Sequence, residues 1–213
     1  MRVGLYGGAA SGREELHHAV ASLVSALADS GCEFVYGGGA DGIMGLAART
    51  ALAHGAQVTG ILAPPGEGDE TPHPGLTRVE VAASRPARRA RILGLSDVVV
   101  ALPGGPGTLE EITEAVNLRR LGLTRARCAV LDTQGFFDPF LRQLDQMAAQ
   151  GFLRQPRAAL VATVATARDV AALCDGEVGQ DGRGGGRADA GSPTGLDGGP
   201  GAPPGAARRP ADS

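Results

Sequence analysis

A chain of 213 residues is long enough for one globular domain with a substantial core. Its formal net charge of −3 argues against a dedicated nucleic-acid binder, which would carry a basic face, and no apolar run reaches the roughly 18 residues of a membrane-spanning helix. Every basic residue is Arg; the chain contains no Lys, which excludes enzymes that need a Schiff-base lysine, pyridoxal phosphate decarboxylases among them.

The elements follow one another as strand, helix, strand. A first strand over Arg2–Tyr6 begins so early that no secretory leader is expected. Helical periodicity then spans Glu14–Ser30, a strand Glu33–Tyr36, a helix Met44–Ala53 and a strand Gln57–Leu62. Strands Arg78–Ala82, Asp97–Leu102 and Cys128–Asp132 alternate with helices Ala87–Leu95, Thr108–Leu121 and Pro139–Gln150. A short strand near Ala159–Ala162 and a helix Ala167–Leu173 close the pattern. The run Val98-Val99-Val100-Ala101-Leu102 is apolar throughout, as a strand covered on both faces must be. The expected fold is therefore α/β: a Rossmann-like, doubly wound, mostly parallel sheet with helices on both faces. With 3% aromatic residues and no Trp, Ala, Val and Leu do most of the packing.

Composition changes at Asp175. Residues 176–213 are Gly, Pro, Ala, Asp and Arg with almost no large apolar side chain, so we expect a folded domain over 1–175 and a disordered tail after it. Cys32, Cys128 and Cys174 are odd in number, widely spaced and without metal-ligand spacing; they read as reduced packing thiols of a cytoplasmic protein with no metal site.

Three glycine clusters fall just after strands: Gly7-Gly8, Gly37-Gly38-Gly39 and Gly104-Gly105. Open α/β sheets bind ligands beyond the carboxyl ends of their strands, and bare backbone there suits a phosphate ester or nucleotide. The stretch Leu102-Pro103-Gly104-Gly105-Pro106-Gly107-Thr108-Leu109-Glu110-Glu111 leaves the buried strand, turns through glycines and opens a helix at Thr108. Unpaired backbone N–H groups at a helix start, backed by the helix dipole, form an anion site. Thr108 and Glu111 equally fit a capping box, a structural role that spacing alone does not separate from a functional one. The segment is neither a Walker loop, lacking Gly-Lys-Ser/Thr, nor a dinucleotide fingerprint, having Glu110 at the third glycine position.

Pro103-Gly104-Gly105-x-Gly107-Thr108-x-x-Glu111 resembles the PGGxGTxxE motif of the LOG (Lonely Guy) family of cytokinin riboside 5′-monophosphate phosphoribohydrolases, often labelled lysine decarboxylases. Val35-Tyr36-Gly37-Gly38-Gly39-x-x-Gly42-x-Met44-Gly45 is similar to the family's second glycine block, and Gly135-Phe136-Phe137-Asp138 and Gly151-Phe152-Leu153 to later landmarks, so the likeness covers nearly all of 1–175. The family's Arg-Lys pair, fifteen residues before the motif proline, falls on Arg88-Arg89. The resemblance implies Arg88 and Glu111 as the catalytic pair. It implies substrate contacts from Glu70, Arg89, Gly104, Gly105, Gly107, Thr108, Glu110, Asn117, Gly38, Gly39 and Met44. Arg85, Arg88, Arg89 and Arg91 otherwise read as one solvated basic helix face.

The implied reaction is hydrolysis of the N-glycosidic bond of a purine nucleoside 5′-monophosphate, by a homodimer needing no metal or other cofactor. Cleavage builds positive charge on the ribose, and a carboxylate beside the sugar stabilises it and orients the attacking water. Departures from the plant members, Arg85-Pro86 in place of Met-His and no Trp on the motif helix, leave the base open: a cytokinin, adenine, guanine or another modified purine. The alternative is a nucleotide-binding module of the same superfamily that performs no reaction.

Overall fold

The computed structural model describes residues 1–66 and 71–175. The proposed tail, 176–213, and Glu70 lie outside the described residues. Among the described residues seven strands form one sheet: β1 (Arg2–Tyr6), β2 (Glu33–Tyr36), β3 (Val58–Leu62), β4 (Arg78–Val81), β5 (Val98–Ala101), β6 (Arg127–Leu131) and β7 (Ala162–Val164). The order is β4-β3-β2-β1-β5-β6-β7 and every neighbouring pair is parallel, so the sheet is wholly rather than mostly parallel. The chain builds outwards from β1 in one direction, then crosses to β5 and builds outwards in the other. The direction reverses between β1 and β5, where such sheets open a crevice at their carboxyl ends.

The helices are α1 (Glu15–Asp29), α2 (Gly42–Ala53), α3 (Arg85–Leu95), α4 (Pro106–Arg120), α5 (Asp138–Ala149), α6 (Arg157–Leu160) and α7 (Ala167–Asp175). Alternation along the central strands divides the interior into two cores. Val3, Leu5, Phe34, Val98 and Val100 face α1, α2 and α7 through Leu23, Leu27, Ile43 and Val170. Tyr6, Val35, Val99, Ala101 and Val130 face α3, α4, α5 and α6 through Ile92, Ile112, Leu144 and Leu160. Val98, Val99, Val100 and Ala101 are all fully buried, as a strand between two helical layers requires.

Two expectations need correction. The last strand lies at Ala162–Val164, and the segment expected to begin it turns instead into α6. Ala159 N–H donates to Pro156 O (3.0 Å) and Val161 N–H to Arg157 O (2.9 Å), burying Leu160 from a helix. Short apolar runs fit a buried strand and a buried helix equally, and the proline resolves it here by pre-setting the turn's start. Second, α4 begins at Pro106, not Thr108.

Candidate active site

The three glycine loops converge at the β1/β5 reversal. Gly8 N–H donates to Pro103 O (3.1 Å), and Met44 N–H donates to Gly8 O (3.2 Å), joining the loops after β1 and β5 to the start of α2. The approach is close: a Cβ on Gly104 would lie 2.7 Å from Gly8 N and 2.8 Å from Thr108 Cβ, so only glycine fits there. Gly105 and Gly107 differ. A Cβ on either would meet nothing within 4 Å, so it is not crowding that keeps these two positions bare.

Gly105 is the cap of α4 and no side chain caps it, which removes the capping-box reading of Thr108 and Glu111. Thr108 sits instead in the first turn, 3% exposed and packed beside Gly104. The first turn carries no acidic residue while Arg119 and Arg120 occupy the last, so the positive end of the helix dipole is left uncompensated at the glycine loop. Glu111 lies five residues into the helix, about 7.5 Å along its axis from Pro106.

The arginines of α3 do not form one solvated face. Ser84 caps the helix, its Oγ accepting from Ala87 N–H (3.3 Å), and Pro86 lies in the first turn. Arg88 is one turn before the core residue Ile92 and shares its inward side. It is 4% exposed; its Nε donates to Ile61 O (2.9 Å) and its Nη2 to Gly37 O (3.1 Å), at the carboxyl ends of β3 and β2. Gly37 is bare for this reason: a Cβ there would run into the guanidinium, 2.8 Å from Cζ. Arg89 turns towards α4, hydrogen-bonded to Glu114 and paired with Glu110 at 3.2 Å. Its guanidinium is held charged first by the Glu114 hydrogen bond, with Glu110 and Glu111 adding to the field. Arg91 pairs with Glu80 of β4.

The remaining expected residues fall into two groups. Gly38 has φ +88°, which a side chain would strain, and its carbonyl accepts from His73 N–H (2.9 Å). Gly39 forms a bridge with Pro72 and its carbonyl accepts from Tyr36 Oη (2.9 Å). Met44 is buried beneath the loops, against Gly7 and Gly37. Asn117 stands apart, exposed on α4 with its Oδ1 accepting from Arg120 Nε and Nη2.

Sequence reasoning passed over two residues here. Glu114 shares Arg89 with Glu110, one turn away on the same face. Tyr6, at the end of β1, is 2% exposed; burial first and Glu111 next push its ionisation well above the ordinary tyrosine range. Its position immediately before Gly7-Gly8, mirrored by Tyr36 before Gly37-Gly38-Gly39, is the signal that would have found it.

Known proteins match this arrangement. A family model described as "Possible lysine decarboxylase" matches residues 44–174. The cytokinin riboside 5′-monophosphate phosphoribohydrolase LOG of Oryza sativa subsp. japonica is 31% identical over 170 residues, 79% of this chain and 70% of that protein. The chain belongs to the LOG family. A cytokinin riboside 5′-monophosphate phosphoribohydrolase of Rhodococcoides fascians is 36% identical over 129 residues, 60% of this chain and 65% of its own. The molybdenum cofactor carrier protein of Chlamydomonas reinhardtii superposes with a TM-score of 0.61 at 23% identity, covering 82% of this chain and 95% of that one, a likeness of fold alone. The LOG match therefore takes in both the buried arginine of α3 and the glycine loop of α4.

Proposed function

We propose that this LOG-family protein is a phosphoribohydrolase acting on a purine nucleoside 5′-monophosphate, releasing the free base and ribose 5-phosphate. The relatives in rice and Rhodococcoides fascians are named for cytokinin riboside 5′-monophosphates, which makes such a nucleotide the first substrate to test, with AMP and GMP beside it. The observation that carries the reading is the placement of Glu111 about a turn and a half behind an open helix N-terminus, in the field of Arg89.

The residues divide the work as follows. The backbone of Gly105 and Gly107 at the positive end of α4 receives the phosphate, whose binding energy fixes the sugar. Arg88, anchored on two carbonyls, supplies a fixed positive charge towards the anionic substrate without swinging away. Glu111 faces the ribose, stabilises the positive charge that develops as the glycosidic bond breaks, and takes a proton from the attacking water. Arg89 engages Glu110 and Glu114 on either side of Glu111, and acts through α4 rather than on the substrate.

We further propose that the protein works as a homodimer in the cytoplasm and that 1–175 is the catalytic unit. None of the described helices is long and apolar enough to cross a membrane. Incubating the protein with cytokinin riboside 5′-monophosphate, AMP and GMP, and following base and ribose 5-phosphate by chromatography, tests the reading. Release of neither product from any of the three refutes it.

A further inference from the structure

The chain contains two tyrosines, and each ends a central strand just before a glycine loop. Both are 2% exposed, yet their hydroxyls are used differently. Tyr36 lies on the α1/α2 side and donates to Gly39 O. Tyr6 lies on the α3/α4 side, and among the described residues its hydroxyl makes no hydrogen bond. No side-chain polar atom of these residues is sealed from solvent without a partner. The Tyr6 oxygen therefore keeps a little contact with solvent, at the carboxyl end of β1 where the strand order reverses.

Tyr6 packs in the same core layer as Ile112 of α4, the neighbour of Glu111, and α4 contacts β1; of the charges acting on the Tyr6 oxygen Glu111 is the strongest, followed by Cys128 of β6, Glu114 of α4 and Arg89 of α3. Burial and the two carboxylates oppose loss of its proton, so across the range in which the protein is folded it offers an O–H. Water can serve that O–H while the site is empty, and phenylalanine would fill the same space without it, so the oxygen adds little to stability. Its use lies in bonding to something that arrives with the substrate and displaces that water.

We propose that Tyr6 and Glu111 together seat one hydroxylic oxygen of the reacting system, Tyr6 donating a hydrogen bond to it and Glu111 accepting one from it. A donor beside a carboxylate complements a group that both accepts and gives, and two such groups are present in the reaction proposed above: a ribose hydroxyl and the attacking water. That part of the inference rests on the phosphoribohydrolase reading.

The variant is Tyr6→Phe, which removes one oxygen and leaves the packing. It is expected to match or exceed wild type in Tm and to lower kcat/KM ten- to a hundredfold, the reach of one hydrogen bond to a reacting group. Tyr36→Phe, which deletes a hydroxyl with a protein partner, is the control and is expected to lose Tm. The source is read from 2′- and 3′-deoxynucleoside 5′-monophosphates. A Tyr6→Phe penalty that vanishes on one of them assigns the corresponding ribose hydroxyl; a penalty in kcat that is equal on all substrates assigns the water. Unchanged kcat/KM on the ribonucleotide overturns the proposal, and so does a loss of Tm as large as that of Tyr36→Phe. If wild type hydrolyses no nucleotide, the functional reading fails separately. Titration calorimetry with ribose 5-phosphate then decides: weaker binding by Tyr6→Phe supports the pairing, and equal affinity overturns it.

Discussion

Replacing Gly37 with alanine tests whether the placement of Arg88 matters to the reaction. Gly37 has no left-handed backbone, so alanine is conformationally allowed and the perturbation is a single methyl. That methyl would lie 2.8 Å from Arg88 Cζ and 3.0 Å from Met44 Cε, against ordinary carbon contacts of about 3.5–4.0 Å. An exposed arginine would swing aside at little cost. Arg88 is 4% exposed and bonded to Ile61 O and Gly37 O, so moving roughly 1 Å breaks the bond to Gly37 and stretches the other. Losing one hydrogen bond of a charged donor costs about 1.5–3 kcal/mol, hence a fall in Tm of roughly 3–12 °C for a domain of this size. A displacement of that order in a positioned charge costs on the order of a hundredfold in kcat. Steady-state base release and thermal melts measure both. Gly94→Ala, on the same helix with nothing within 4 Å of the added methyl, is the control and should melt slightly higher at full activity. A Gly37→Ala protein that melts early but turns over normally would refute the reasoning and make Arg88 a structural strut.

The other predictions concern Glu111, the glycine loop of α4, a buried thiol and the segment after Asp175. Glu111→Gln should lower kcat at least about a hundredfold while leaving stability within roughly 1–2 kcal/mol, since it keeps the shape of a half-buried side chain; activity above a tenth of wild type would remove Glu111 from the chemistry. The nucleoside should be a worse substrate than its 5′-monophosphate by about a hundredfold or more in kcat/KM, and Gly107→Ala should narrow that gap while raising Tm, because its methyl points into open space on a helix; an unchanged preference would displace the phosphate from this loop. Burial pushes the Cys128 thiol up to about 12, so the neutral thiol favours the folded state and stability should fall as pH rises from 9 towards 12. Urea melts of wild type and Cys128→Val across that range should diverge, and parallel curves would contradict it. Truncation after Asp175 should leave kcat unchanged, and a tenfold loss of turnover would make 176–213 part of the working enzyme.

The layered fold was legible because its strands declare themselves: an apolar run such as Val98–Leu102 has no solvated face, and each glycine cluster follows a strand. Register between the loops was not legible, nor were contacts that exist only once the sheet is assembled. The motif spacing singled out Glu111 as a candidate, yet the cap of α4 depends on Gly105 adopting extended backbone at the β5 loop, where Thr108 looked the better cap. Four arginines in seven residues looked like one solvated face. The four-residue step from Arg88 to Ile92 was the local sign that one of them points inward, but its partners, the carbonyls of Ile61 and Gly37, are distant in sequence. Tyr6 carried only a positional signal, its place before Gly7-Gly8, and the charge that gives it interest is Glu111, 105 residues further along the chain.

Glu111 also separates an enzyme from a carrier of the same fold. Holding an anionic nucleotide calls for donors and positive charge, the roles proposed above for the α4 N-terminus and Arg88. A third carboxylate on α4, added to the two that Arg89 already engages, opposes an anion. In a pure binding module Glu111→Gln should therefore be neutral or beneficial in every measurement. In a phosphoribohydrolase the same substitution divides the measurements: the nucleotide binds as well or better, while turnover collapses because the positive charge developing on the ribose loses its counter-charge. Nucleotide affinity by calorimetry and base release by chromatography, on one variant protein, give these opposite signs only if the carboxylate is there for the transition state.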